Sequence, residues 1–249
     1  MTDPSPRKLI IAIDGPAGAG KSTIASRLAR KLGYVNLESG AMYRALALRA
    51  IESDASFDDE AALLKMAQDS RITLDRSSLG HTGLGQSGLG HSALGKTGGG
   101  NRVLLNGKDV SARIRERDVT EAASRVSVHP KVRVWMVERQ REMGIGGGVV
   151  MEGRDIGTKV FPDADLKIFL DADPVIREQR RLDQQQVKGA PAEAMAAELR
   201  ERDLRDRTRA VSPLVAAEDA IVIDSTNLSE DDVVNRIEKL VEQRLAATR

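Results

Sequence analysis

The stretch Leu9-Ile10-Ile11-Ala12-Ile13-Asp14-Gly15-Pro16-Ala17-Gly18-Ala19-Gly20-Lys21-Ser22 decides how the chain folds. It opens on a short apolar run rich in β-branched residues, the composition of a strand buried on both faces of a parallel sheet. It closes on the pattern Gly, four residues, Gly, Lys, Ser. Immediately after it, Ile24, Leu28 and Leu32 recur every fourth residue beside Ala25 and Ala29, and Gly33 stops the pattern. That spacing predicts a helix with one apolar stripe. A glycine turn between strand and helix is the setting a phosphate-binding loop requires. Backbone N–H groups can turn inward around a β-phosphate, and the helix N-terminus adds partial positive charge. Lys21 can reach the β and γ oxygens, and the Ser22 hydroxyl can ligate Mg²⁺.

Working outward, short apolar runs recur at Val149 to Met151, Leu166 to Leu170 and Ala220 to Ile223, separated by helical patterns. This alternation predicts a parallel α/β sheet. Helix starts are expected near Ala41, at Asp58 behind a Ser56-x-x-Asp59 cap, at the first-turn prolines Pro130 and Pro174, and near Ser229. Arg71 to Asp75, Arg102 to Asn106 and Lys108 to Ser111, with the turn pair Asn106-Gly107, predict a small inserted antiparallel sheet. Between its first two strands runs a Leu-Gly repeat from Leu79 to Gly98, ending at Gly100. Its glycines make ordering costly and one leucine per repeat offers little burial, so a flexible surface loop is expected over 79–100.

Composition removes several function classes. The 249 residues carry 38 Lys+Arg against 37 Asp+Glu, so net charge gives no sign of a nucleic-acid or membrane binder. The absence of cysteine excludes thiolate nucleophiles and Cys-based metal sites and fits a reducing cytoplasm. With 2% aromatic residues, base-stacking platforms for single strands are not expected.

A phosphate loop alone does not separate GTPases, motors and small-molecule kinases. No Asn-Lys-x-Asp segment is present to read guanine, and Asp155-Ile156-Gly157 has the wrong spacing for a switch. Four charged segments then compete with ordinary solvated faces. Ser39 can cap a helix carrying Tyr43 and Arg44. Glu152-Gly153-Arg154-Asp155 follows a central strand, at the carboxyl end where ligands of open α/β sheets bind. Arg202, Arg205, Asp206 and Arg209 share one helix face, and Arg177, Arg180 and Arg181 share another. Two arginine faces beside one phosphate loop suggest a charge clamp on a transferring phosphoryl group.

These segments together resemble the bacterial cytidylate kinases, within the nucleoside monophosphate kinase group. The likeness rests on Ile13-Asp14-Gly15-Pro16, Ser39 to Arg44, Gly153 to Gly157, Phe161-Pro162-Asp163-Ala164, Lys167 to Ala172, and Arg202-Asp203 through Arg209-Ala210-Val211. It implies an α/β fold: a five-stranded parallel core over 1–38 and 146–249, a monophosphate-binding insertion over 39–145, and a helical lid at about 177–188. It also implies ATP as donor, held with Mg²⁺ by Gly15 to Ser22 and Thr23, and CMP or dCMP as acceptor. By the same resemblance Arg44 and Arg154 hold the acceptor phosphate, with Ser39 and Tyr43 lining its site, and Arg202 and Asp206 hold the sugar. Ser124, Arg133, Asp155 and Arg209 read cytosine, and Arg180 and Arg181 approach the γ-phosphate. Catalysis would fall to Lys21, Arg154, Arg180 and Arg181 in a cytoplasmic monomer without nucleic-acid or membrane partners. A kinase for UMP, or a non-catalytic nucleotide sensor, remains the alternative. Position 152 is Glu where the pattern leads one to expect Asp, and the Leu-Gly repeat has no counterpart in it.

Overall fold

A computed structural model describes residues 8–75, 102–185 and 192–247. Strand β1 (Ile10–Asp14) lies at the centre of a parallel sheet with β2 (Val35–Glu38), β6 (Val149–Gly153), β7 (Leu166–Asp171) and β8 (Ile221–Asp224), in the order β2-β6-β1-β7-β8. Because successive side chains point to opposite faces, β1 feeds two cores. Ile11 and Ile13 pack with Leu28 of α1 (Lys21–Leu32) and Ile237 of α8 (Glu230–Ala247). Ala12 faces Met42 and Leu46 of α2 (Ser39–Glu52). A sheet covered on both faces explains why β1 reads as a continuous apolar run rather than an alternating one.

The inserted sheet has the order β3 (Ile72–Asp75), β4 (Arg102–Leu105), β5 (Lys108–Asp109), all antiparallel. Asn106 and Gly107 both take positive φ, 51° and 84°, as a two-residue hairpin turn demands. The Leu-Gly repeat lies outside the described residues. Helices α3 (Glu60–Gln68), α4 (Arg117–Val126) and α5 (Pro130–Gly144) complete this part, and α6 (Pro174–Gln185) and α7 (Ala192–Thr208) follow the core strands.

Two helix starts differ from expectation. Helix α3 begins later than Asp58 because Asp59 is its cap: Asp59 Oδ1 accepts from the Ala62 amide at 3.0 Å, whereas Ser56 Oγ accepts from Asp58. Helix α2 begins at Ser39 itself, so Ser39 lies inside the first turn and makes no capping bond. Glu38 is still a strand residue paired with Glu152, which leaves no room for a cap between sheet and helix. Ser39 instead packs on Gly153, its Oγ 2.6 Å from where a Cβ there would be. The Ser229 start holds, with Ser229 Oγ accepting from the Asp232 amide and the Asp232 carboxylate accepting from Ser229.

After β1 the backbone passes hard against β7. Gly15 has φ 150°, and a Cβ on it would lie 1.9 Å from the Leu170 carbonyl oxygen. Gly15→Ala is therefore expected to destabilise the fold by at least about 2 kcal/mol, since neither strand can yield without breaking the sheet. Urea unfolding of the two proteins checks this, and an unchanged midpoint would refute it.

Candidate active site

The phosphate loop is braced from below by α6. Arg177 is buried, and its guanidinium donates to the carbonyls of Ala17 at 3.0 Å and Ala172 at 3.0 Å and pairs with Asp203 of α7. At Gly18, φ is 78° and a Cβ would lie 2.8 Å from the Arg177 carbonyl. That glycine is thus required by the helix beneath as well as by any ligand above. Lys21 folds back to donate to the Pro16 carbonyl at 2.6 Å. Burial, with Arg154 nearby, lowers its ammonium to about 7.

The far side of the same cleft is built from α2, α4, α5 and the end of β6. Asp155 follows β6 and opens a wide turn, Ile156–Val160, in which Phe161 N donates to Ile156 O at 2.7 Å, five residues back. Such turns recur at functional sites. Asp14 holds it to β1, Oδ1 accepting from Ile156 N at 2.8 Å and Oδ2 from Gly157 N at 2.7 Å. Arg133 of α5 donates to Asp155 at 2.5 Å and to Ser127 O at 2.9 Å, with its guanidinium 5.6 Å from the Tyr43 ring centre. Arg154 Nε donates to Asp206 at 2.8 Å, and Arg44 pairs with Glu38. Arg209 donates to Ser212 O at 2.6 Å and lies 3.4 Å from Asp206.

The resulting cleft has a volume of about 820 Å³ and is lined by nine arginines and Lys21 against four carboxylates, Glu38, Glu152, Asp155 and Asp206. A chain with almost no net charge has concentrated its positive charge here. The crowding is visible in the groups themselves: burial and Arg154 lower the Arg202 guanidinium to about 10, and burial with Arg44 and Arg154 lowers Arg181. Arg44 Nε and Arg209 Nη2 are buried donors with no acceptor among the described residues. Such a cavity suits a polyanion.

Residues able to hold a hard cation are oxygen donors beside Lys21. Ser22 and Glu152 line the cleft together, and Glu152 Oε1 is buried with no partner among the described residues. Burial and the adjacent Glu38 raise the Glu152 carboxyl to about 7. Among the described residues no three acidic or histidine side chains gather. A hydroxyl and a carboxylate oxygen therefore fit Mg²⁺ carried in on nucleotide phosphates, which needs few protein ligands.

Of the residues singled out from sequence, Ala17, Gly18, Gly20, Lys21, Ser22, Thr23, Ser39, Tyr43, Arg44, Ser124, Arg133, Arg154, Asp155, Arg181, Arg202, Asp206 and Arg209 line this one cleft. Gly15, Pro16 and Ala19 form the loop behind it. Arg180 does not join them: it donates to Ser225 Oγ at 3.0 Å and Ser225 O at 2.6 Å. Arg177, placed at the start of a lid by the family resemblance, is the buried brace of the loop. Sequence reasoning passed over Arg115, Thr120 and Asn36 as lining residues and Arg205 as the partner of Ser124, at 2.8 Å. Arg205 alone had carried a signal, its place on the Arg202 face.

A loop of this form at the end of β1, in a sheet of this order, defines a phosphate-loop kinase. Residues 11–243 match the family model described as cytidylate kinase. The cytidylate kinase of Geobacillus kaustophilus is 44% identical over 96% of this chain and 99% of that protein. Those of Anoxybacillus flavithermus and Pasteurella multocida are 45% and 42% identical, each over 96% of this chain and 98% and 97% of their own lengths. The chain belongs to the cytidylate kinase family.

Burial, against the Gly157 and Ile156 amides, raises Asp14 from 3.8 to about 6. Between those values the folded chain holds a proton that the unfolded chain has lost, so this carboxyl's contribution to stability falls as pH rises through that window. The stability deficit of Asp14→Asn should therefore shrink by up to about 3 kcal/mol between pH 4 and 6.5. Denaturant melts of both proteins across that range measure it, and a pH-independent deficit would show that Asp14 ionises normally.

Proposed function

We propose that this enzyme transfers the γ-phosphoryl group of ATP reversibly to CMP and dCMP, giving CDP and dCDP. The observation that carries the reading is that the phosphate loop and the Arg133–Asp155 pair open onto one cationic cleft, in a chain of the cytidylate kinase family. No covalent enzyme intermediate is required; positioning and charge neutralisation suffice. Lys21 leaves the Pro16 carbonyl for the β and γ oxygens of ATP. Arg44 and Arg154 hold the acceptor phosphate, the unpaired Arg44 Nε supplying a donor, and Arg202 and Asp206 hold the sugar. Asp155, oriented by Arg133, accepts from the cytosine amino group, with Ser124 and Arg209 beside it. Bound Mg²⁺ supplies charge neutralisation at the β and γ oxygens, and Ser22 with Glu152 behind it would hold the ion.

The proposed division is a core over 1–38 and 146–249, an acceptor-binding insertion over 39–145 and a helical lid at about 177–188, of which 186–188 lie outside the described residues. Arg177 anchors the near end, so motion would start beyond it and carry Arg181 toward the γ-phosphate. For Arg180 to do the same it must release Ser225. We also place the enzyme in the cytoplasm as a monomer. The lack of cysteine supports the first, and the supply of both halves of the cleft by one chain supports the second. Among the described residues no helix is long and apolar enough to cross a membrane.

An acceptor screen with ATP and each nucleoside monophosphate, read by ADP release, tests the assignment: CMP and dCMP should lead, and a preference for UMP or no turnover would overturn it. Lys21→Ala should lower kcat at least ~10²-fold, through loss of a preorganised charge. Arg44→Ala should weaken all acceptors alike, whereas Asp155→Ala should narrow the ratio of CMP to UMP turnover. An equal fall for both nucleotides in Asp155→Ala would remove its base-reading role.

A further inference from the structure

Ser124 sits in α4 on the acceptor side of the cleft, buried, and its hydroxyl has a partner that comes from the opposite wall. Arg205 of α7 reaches behind it, Nη1 donating to Ser124 Oγ at 2.8 Å, while its own guanidinium is kept out of the cleft lining. The Arg205 fork is positioned from its own helix by Glu201 at 3.0 Å, one turn away. A second link, Arg117 to Glu198, joins the same two helices.

The direction of the Arg205–Ser124 bond is fixed by chemistry. A guanidinium has no acceptor, so Arg205 must donate and the serine oxygen must accept. A hydroxyl has one proton, and with an oxygen lone pair committed to Arg205 that proton is free to point into the cleft. Accepting from a cation polarises the hydroxyl and strengthens it as a donor, in a cleft whose lining also holds the acceptor Asp155. A donor beside an acceptor complements cytosine, whose amino group donates and whose N3 and O2 accept. Uracil reverses the edge, with a carbonyl in place of the amino group and a proton on N3.

We propose that Arg205 is a specificity-determining positioning residue: by donating to Ser124 Oγ it sets that hydroxyl as a donor toward the pyrimidine edge and so favours cytosine over uracil. The proposal rests on the reading of Ser124 as a base contact.

The test is a double-mutant cycle. Arg205→Met keeps the apolar stem and removes the donor, and Arg205→Lys keeps a cationic donor. Steady-state constants for CMP and UMP at saturating ATP are measured for Arg205→Met, Arg205→Lys, Ser124→Ala and the double variant. Arg205→Met should raise KM for CMP and narrow the CMP-to-UMP ratio of kcat/KM about tenfold, with KM for ATP within about twofold. Arg205→Lys should recover most of that discrimination. In the Ser124→Ala background, Arg205→Met should add less than about threefold, because the group it acts through is gone. If the two effects multiply fully, or if CMP and UMP lose equally in Arg205→Met while Ser124→Ala narrows the ratio, the role of Arg205 is overturned and the acceptor-site reading stands. A ratio unchanged by Ser124→Ala itself would overturn that reading of Ser124 and this inference with it.

Discussion

The structure is organised around a surplus of buried positive charge that the protein must hold in place without its ligands. Guanidinium groups cannot shed their protons, so burial cannot neutralise them and each must find a partner or keep a face to water. The fold gives the innermost ones a carboxylate from a different element: Arg133 on α5 to Asp155 after β6, Arg154 after β6 to Asp206 on α7, Arg44 on α2 to Glu38 on β2. Each pair neutralises and also orients, because a planar fork fixes the direction of what it holds. The positive charge in excess of the cleft's carboxylates suits an anion.

That arrangement depends on a scaffold that does not move. Asp14 joins β1 to the turn carrying Arg154 and Asp155, and Arg177 joins the phosphate loop to α7 through Asp203. Both groups are buried and neither lines the cleft, yet together they set the distance between its donor and acceptor halves. Removing one partner from a buried pair such as Arg177–Asp203 leaves the other charge stranded, at a cost of about 3–5 kcal/mol. The energy spent on holding the cleft is thus concentrated in a few buried contacts behind it.

How much of this was legible in the sequence follows from the range of each signal. The β1 run, the glycine loop, the α1 stripe and the Asn106-Gly107 turn are local patterns, and each appears where its pattern put it. Motif readings picked out most of the charged cleft-lining residues and the family resemblance added Ser124 and Arg133, because a motif compresses a tertiary arrangement into a short string. Depth is not local. Arg177, Arg180 and Arg181 share a helical face on paper, but the N-terminal turn of α6 runs beneath the phosphate loop and buries Arg177. Arg180 turns to Ser225 and only Arg181 enters the cleft. Ser39 failed as a cap for a similar reason: strand pairing extends to Glu38, and hydrogen bonding of the sheet outranks the preference of one serine.

The position where Glu stands in place of the expected Asp shows how two acids share one strand pairing. Glu152 lies opposite Glu38 on adjacent parallel strands, a like-charge neighbour in register, and it is buried. An isolated pair of carboxylates so placed would be unstable. Here Arg44 holds Glu38 ionised, below the ordinary carboxylate range and against its own burial, while burial and Glu38 push Glu152 upward. The two acids are driven apart in proton affinity, so the in-register strand pairing need not bury two full negative charges.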